Sequence, residues 1–327
     1  MQKRQLGKFG PSVGSVGLGC MSFAGFYGST NEAEAHETLK TALDLGVDHL
    51  DTSNMYGNGV SESFIGSFVK NNPGEFKIAT KAGIKIEPTR CFDNDPDYLR
   101  QCLEGSLKRL NVDYVDLFYI HRREQERPIE EVTETMAGFI KEGKIGGFGF
   151  SEISPSSLER ASAVHHVMAV QSEYSLWSRL PELGMVQTCK RLGTAFVAFS
   201  PLARGMLSDQ MPDPQKLPET DFRKNQPRFE EPNYAYNVVA INRFRDYAHK
   251  NGWTPAALAI AWTLHQGDHI IPIPGTRTSK NLIDDAHGSE IVLTPEHLAQ
   301  IEKILPVGFA HGDRYSVAQY VGPERYC

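Results

Sequence analysis

Val47-Asp48-His49-Leu50-Asp51-Thr52-Ser53-Asn54-Met55-Tyr56-Gly57 is a short apolar run that ends on a carboxylate and passes into a polar turn carrying a tyrosine. Two later runs have the same plan. Phe76-Lys77-Ile78-Ala79-Thr80-Lys81 ends on a lysine, and Val115-Asp116-Leu117-Phe118-Tyr119-Ile120-His121 ends on a histidine. Segments of helical period separate the three, so they read as successive parallel strands of βαβ units. Each polar residue stands at the carboxyl end of its strand, where an α/β barrel gathers its chemistry. Asp51, Tyr56, Lys81 and His121 are therefore expected to meet.

Their chemistry is mutually consistent. A phenol with a pKa near ~10 exchanges protons poorly at neutral pH. A nearby ammonium stabilises the phenolate and lowers that pKa, and a carboxylate holds the lysine charged and in place. An imidazole beside the phenol can orient a carbonyl oxygen or relay a proton. Such a group would protonate a carbonyl oxygen while something else delivers hydride to carbon. Singly, each residue suits a plain structural role, as a cap, a core aromatic or a solvated strand end; the four together do not.

At 327 residues the chain suits one (β/α)8 barrel spanning 1–327. Hydrophobic content of 40 % and charged content of 23 % are ordinary for a globular protein. A net charge of −6 gives no basic footprint for nucleic acid or an anionic membrane. No apolar run approaches the ~20 residues of a membrane span, and Met1 to Gly7 lacks the apolar core of a signal peptide. Cys20, Cys91, Cys102, Cys189 and Cys327 are odd in number, widely spaced and without a CxxC pair, which points to reduced thiols in a cytoplasmic protein. No metal is expected. The adjacent His165 and His166 cannot both aim inward from a helix end, and no His-x-His strand motif occurs.

Outward from the strip, Arg4 to Leu18 reads as a hairpin leading into a first strand at Val16-Gly17-Leu18. Gly17-Leu18-Gly19-Cys20-Met21-Ser22 falls short of a dinucleotide fingerprint, lacking the third glycine and a helix directly after it. Ser29-Thr30-Asn31-Glu32 reads as a capping box. Leu99, Leu103, Leu107 and Leu110 form one helical stripe, and Pro128 opens another with Ile129, Val132, Met136, Phe139 and Ile140. Strands five to seven are placed at Ile145–Glu152, Met168–Gln171 and Ala195–Leu202, and strand eight with its loop at His269–Arg277. Ser154-Pro155 and Thr254-Pro255 open helices. Ala203 to about Asn233 is a long proline-broken loop, either a lid or a mobile excursion.

The run Gly46 to Gly57, the lysine of the third strand and Asp116 to His121 together resemble the signatures of the aldo-keto reductases. The resemblance covers nearly the whole chain and implies a (β/α)8 TIM barrel, closed at its amino end by the hairpin, that binds NADP(H) without a Rossmann domain. It assigns catalysis to Asp51, Tyr56, Lys81 and His121. It places Cys20 and Met21 near the nicotinamide, Ser151, Glu152 and Gln171 at the carboxamide, and Phe199 stacked on the ring. Ser200, Pro201, Leu202 and Gly205 continue this contact. Gly275 and Thr276 suit the phosphate site usual after strands seven and eight. Arg277, Asn281 and Asp285 fall at the adenosine end, with the 2′-phosphate expected at Arg277. Glu152 and Asp285 depart from the commonest pattern, which has Asn at both. Asn54, Met55 and Trp177 are expected to line the pocket for a small carbonyl substrate. Ser172 to Trp177 resembles the branch containing plant and microbial aldehyde, alkaloid and pyridoxal reductases. The expected reaction is reversible NADPH-dependent reduction of an aldehyde or ketone. The alternatives are a cofactor-sensing auxiliary subunit of the same fold and, further off, a metal-dependent barrel hydrolase.

Overall fold

The computed structural model describes residues 1–86, 89–219 and 221–326. Eight parallel strands form one sheet: β1 Leu18–Gly19, β2 His49–Asp51, β3 Lys77–Ala82, β4 Leu117–Ile120, β5 Phe148–Ser151, β6 Ala169–Glu173, β7 Ala195–Phe199 and β8 Ile270–Ile273. They are ordered one to eight, each paired in parallel with its neighbours. A parallel bridge between Gly19 and Gly275 closes the ring, with Gly17 and Gly19 donating to the carbonyls of Pro272 and Pro274 at 2.9 Å each. This is the expected (β/α)8 barrel.

Alternation along the strands builds two apolar layers. Ala79, Leu117, Tyr119, Ala169, Val197 and Ile271 pack inside the barrel; Ile78, Phe118, Phe148, Phe150 and Phe196 face the helices. Tyr119 fits inside because Gly149 stands opposite, where a Cβ would lie 2.6 Å from its ring. Beneath, the hairpin pairing Lys3–Gln5 with Ser12–Gly14 sends Leu6 and Val13 into the same interior cluster and closes that end.

The helices are α1 Glu32–Leu45, α2 Val60–Val69, α3 Pro96–Leu110, α4 Ile129–Lys141, α5 Pro155–Val164, α6 Met185–Leu192, α7 Asn233–Lys250, α8 Pro255–His265, α9 Ser279–His287 and α10 Pro295–Ile304. The leucine stripe of α3 is buried as expected, and so are four of the five α4 positions, Ile140 being half-buried. Ser154 and Thr254 cap α5 and α8. The start of α1 differs. Asn31, not Ser29, is the cap, accepting from the Glu34 N–H at 3.0 Å, because Asn caps as well as Ser and stands directly before the first helical residue. A 3-10 turn, Cys20–Ala24, follows β1 directly where no helix was expected. Helix α7 was not anticipated. Its buried face includes Asn237, which donates to the carbonyls of Arg228 and His311, so a polar residue interrupts the apolar period.

The segment between β7 and α7 is held in place. Asp221 caps a short turn and pairs with Arg223 at 2.6 Å. Arg223 in turn lies 4.8 Å from the Tyr27 ring, and Phe222 meets that ring edge-on at 5.3 Å. Tyr27 belongs to the loop before α1, so the two loops meet above the carboxyl ends of the strands, which supports a cover rather than a mobile excursion. The tail is fixed as well. Arg314 forms a two-pronged pair with Glu152, and Arg123 pairs with Glu324 at 2.5 Å.

Candidate active site

At the mouth of the barrel a cavity of about 1230 Å3 runs from Tyr56 and His121 to α9. Its inner end is built by β2, β3 and β4. Lys81, fully buried, donates to the Asp51 carboxylate and to the Thr52 carbonyl at 2.8 Å. The other Asp51 oxygen accepts from Gln171 Nε2 at 2.7 Å, so the carboxylate is pinned from two strands. Lys81 Nζ lies 5.2 Å from the centre of the Tyr56 ring, and the His121 imidazole meets that ring edge-on at 5.9 Å. The four strand-end residues do converge.

Electrostatics distinguishes them. Burial works against the Lys81 ammonium, but Asp51 and Tyr56 outweigh it and its pKa rises, which keeps it charged. Burial, then Arg122, Lys81 and Arg90, push His121 well below its ordinary value, so its imidazole is neutral at pH 7. Its Nδ1 faces Ser53 Oγ at 3.2 Å, leaving Nε2 for the cavity. The expectation for Tyr56 is corrected. Lys81 does pull its pKa down, yet burial dominates and Asp51 opposes the lysine, so the phenol sits above its ordinary value and holds its proton.

Most residues expected at the cofactor line this cavity. Cys20, Met21, Ser151, Gln171 and Phe199 surround the inner end; Ser200, Pro201, Leu202 and Gly205 continue it; Gly275, Thr276, Arg277, Asn281 and Asp285 line the outer end. Thr278 caps α9 by accepting from the Asn281 N–H, so that helix presents its amino end beside Arg277. Arg277 is anchored by one nitrogen on the Tyr27 carbonyl at 2.7 Å, against Gly28. A Cβ on Gly28 would come 2.8 Å from the guanidinium and would have to displace it. Asp285 is fully buried, one carboxyl oxygen has no partner, and burial with the adjacent Asp284 raises its pKa well above the usual range.

Three expectations fail. Glu152 does not face the cavity: its left-handed backbone (φ +59°) turns the carboxylate to Arg314 and to the Glu173 N–H at 2.8 Å. Asn54 lies outside the cavity lining, whereas Met55 belongs to it. Trp177 is buried against Phe229 and Arg228, away from the lining. Conversely, Arg90, Arg122, Arg204, Lys280, Tyr315 and Gln319 line the cavity unforeseen. None of them closes an apolar strand run, so the pattern that marks the tetrad does not announce them.

Among the described residues no group of three His, Cys, Asp or Glu side chains could hold a metal ion, and no helix is long and apolar enough to cross a membrane.

Comparison with known proteins agrees with this geometry. The Aldo/keto reductase family profile matches residues 15–306. "Probable aldo-keto reductase 1" of Glycine max is 37% identical over 319 residues, 96% of this chain and 92% of that protein. "Aldo-keto reductase yakc [NADP(+)]" of Schizosaccharomyces pombe is 36% identical, covering 93% and 92%. Among solved structures, a glycerol dehydrogenase of Gluconobacter oxydans superposes with a TM-score of 0.85 at 27% identity, covering 93% of this chain and 94% of that one. An aldo-keto reductase of Bacillus halodurans in its holo form gives 0.79 at 27% identity, covering 94% and 97%. With the profile spanning most of the chain, and with a buried Asp–Lys pair beneath a tyrosine and a neutral histidine, the protein belongs to the aldo/keto reductase family.

Proposed function

We propose that the protein is an NADP(H)-dependent oxidoreductase that reduces an aldehyde or ketone to an alcohol, with Tyr56 as proton donor. The observation that carries this is the buried Lys81 ammonium, locked by Asp51 beneath a phenol that keeps its proton. Tyr56 gives that proton to the carbonyl oxygen, and Lys81 stabilises the phenolate left behind. Asp51 holds Lys81 charged, and Gln171 holds Asp51. Neutral His121, its Nδ1 facing Ser53 Oγ, turns Nε2 to the same oxygen and orients it.

The outer end of the cavity fits a phosphorylated dinucleotide. The amino end of α9 favours an anion, and Arg277 keeps donors free for a phosphate on the ribose. The unpartnered oxygen of Asp285 suits the polar edge of an adenine. Bound there, the reduced nicotinamide supplies hydride to the carbonyl carbon. Phe199 and Met21 shield its surroundings from water, and Ser151 stands at the wall. The relative in Schizosaccharomyces pombe carries NADP(+) in its name, in keeping with this choice.

The test follows NADPH and NADH consumption at 340 nm with an activated aldehyde. Turnover with preference for NADPH supports the reading. Tight NADPH binding without turnover would instead make the chain a cofactor-sensing subunit.

A further inference from the structure

We propose that the carbonyl substrates of this site carry an oxyanion, a carboxylate or a phosphate, held by the guanidinium groups of Arg122 and Arg90. The inference rests on the carbonyl-reductase reading and names its substrate class.

Four arginines around the barrel mouth have carboxylate partners. Arg204 pairs with Glu173 at 2.9 Å, Arg223 with Asp221, Arg123 with Glu324, and Arg314 with Glu152. Arg122 and Arg90 have none among the described residues, and both line the cavity beside Tyr56 and His121. Arg122 spends one nitrogen on the His121 carbonyl at 2.7 Å and on Ser151 Oγ at 3.0 Å. Its other two nitrogens have no hydrogen-bond partner among the described residues. Arg90 makes no hydrogen bond among them at all.

Arg122 is held in place, whereas Arg90 is exposed, its guanidinium 5.7 Å from the Phe92 ring. Arg122 directly follows His121 at the end of β4, and the tail packs on it: a Cβ on Gly322 would lie 3.2 Å from its Cδ. Arg90 precedes the second strand of a small hairpin after β3, in which Ile84 and Lys85 pair with Phe92 and Cys91. Both guanidiniums depress His121, and burial followed by Arg122 lowers Arg90 itself. Two like charges thus face one cavity, an arrangement that an entering anion would relieve. A carboxylate or phosphate satisfies free guanidinium donors with paired, charge-assisted hydrogen bonds. The cofactor's own anions have their place at the opposite end, at Arg277 and α9. What remains beside the catalytic tyrosine is a cationic wall with room for the far end of a substrate.

The experiment compares kcat/KM for 4-carboxybenzaldehyde, 4-formylphenyl phosphate and the neutral methyl 4-formylbenzoate, with NADPH, on wild type, Arg90→Gln and Arg122→Gln. At least one anion should exceed the ester by about tenfold, chiefly through KM, and each variant should cut that ratio by about tenfold. Whichever anion leads identifies the group. Arg90→Gln removes no hydrogen bond within the described fold, and NADPH affinity checks that Arg122→Gln keeps the cavity. If the ester matches both anions, or the ratio survives both substitutions, the oxyanion proposal falls while carbonyl reduction stands. If no aldehyde is reduced, both fall together.

Discussion

Lys81 acts on Tyr56 against two opponents, burial and Asp51, and the phenol ends above its ordinary pKa. Reduction by the wild type should therefore hold a plateau through neutral pH and decline only where Tyr56 loses its proton. In Lys81→Met the largest downward influence is gone, so that alkaline limb should move higher while the plateau rate drops by at least about tenfold. An unchanged pH–rate profile would remove Lys81 from the pairing. Asp285 offers a second pH test. Its folded-state pKa is raised, so the folded protein binds that proton more tightly than the unfolded chain does. Its contribution to stability is present below the usual carboxylate range and is lost as pH rises toward the folded value. Asp285→Asn should raise Tm by a few degrees at pH 8 and by less near pH 4. An equal gain at both would contradict a buried protonated carboxyl. At this scale the sequence displayed the tetrad, because strand ends are marked by where an apolar run stops. It hid Glu152 and Trp177, whose partners Arg314 and Arg228 lie 162 and 51 residues away along the chain. It also hid which of Asn54 and Met55 faces inward, since a turn has no alternation to read.

Strands and helices were legible wherever the apolar period was clean, as in α3 and α4, and where Ser or Thr precedes Pro. Helix α7 and the register of β1 escaped, because buried Asn237 breaks one period and β1 holds two residues. The loop after β7 could not be read as fixed or free, since its anchors are side chains meeting Tyr27 from a different loop. Helix α9 carries the cofactor prediction. Arg277→Ala should weaken NADPH by about ten- to a hundredfold and leave NADH little changed, as judged by fluorescence titration. Equal loss for both cofactors would take the 2′-phosphate away from Arg277. The tail gives a structural counterpart. Arg314→Ala would leave Glu152 and Glu173 buried without that cation, at a cost of about 3–5 kcal/mol. Limited proteolysis should then cut beyond residue 312 faster than in wild type, and an unaltered rate would mean the tail is held elsewhere.

Across the whole molecule, the barrel is one closed sheet from Leu18 to Ile273, its interior filled from below by Leu6 and Val13 and its mouth covered by loops and tail. Closure places strand ends from distant parts of the chain around one cavity, which explains why three short strips of sequence sufficed to bring Asp51, Tyr56, Lys81 and His121 together but not to foresee the far wall. The surroundings of the tetrad offer a phenol, an ammonium and an imidazole, and no cluster of ligands for a metal among the described residues. Chelators should accordingly leave turnover unchanged, and loss of activity on removal of a stoichiometric metal would overturn the mechanism. Proton delivery turns on a single hydroxyl, that of Tyr56. Tyr56→Phe removes it and keeps the ring against His121 and Phe26. The decisive measurement is the 340 nm reduction rate of this variant beside its affinity for NADPH. The expected result is a rate lower by about 10²–10⁴ with cofactor affinity nearly intact; a variant retaining most of the wild-type rate would show that the proton comes from elsewhere.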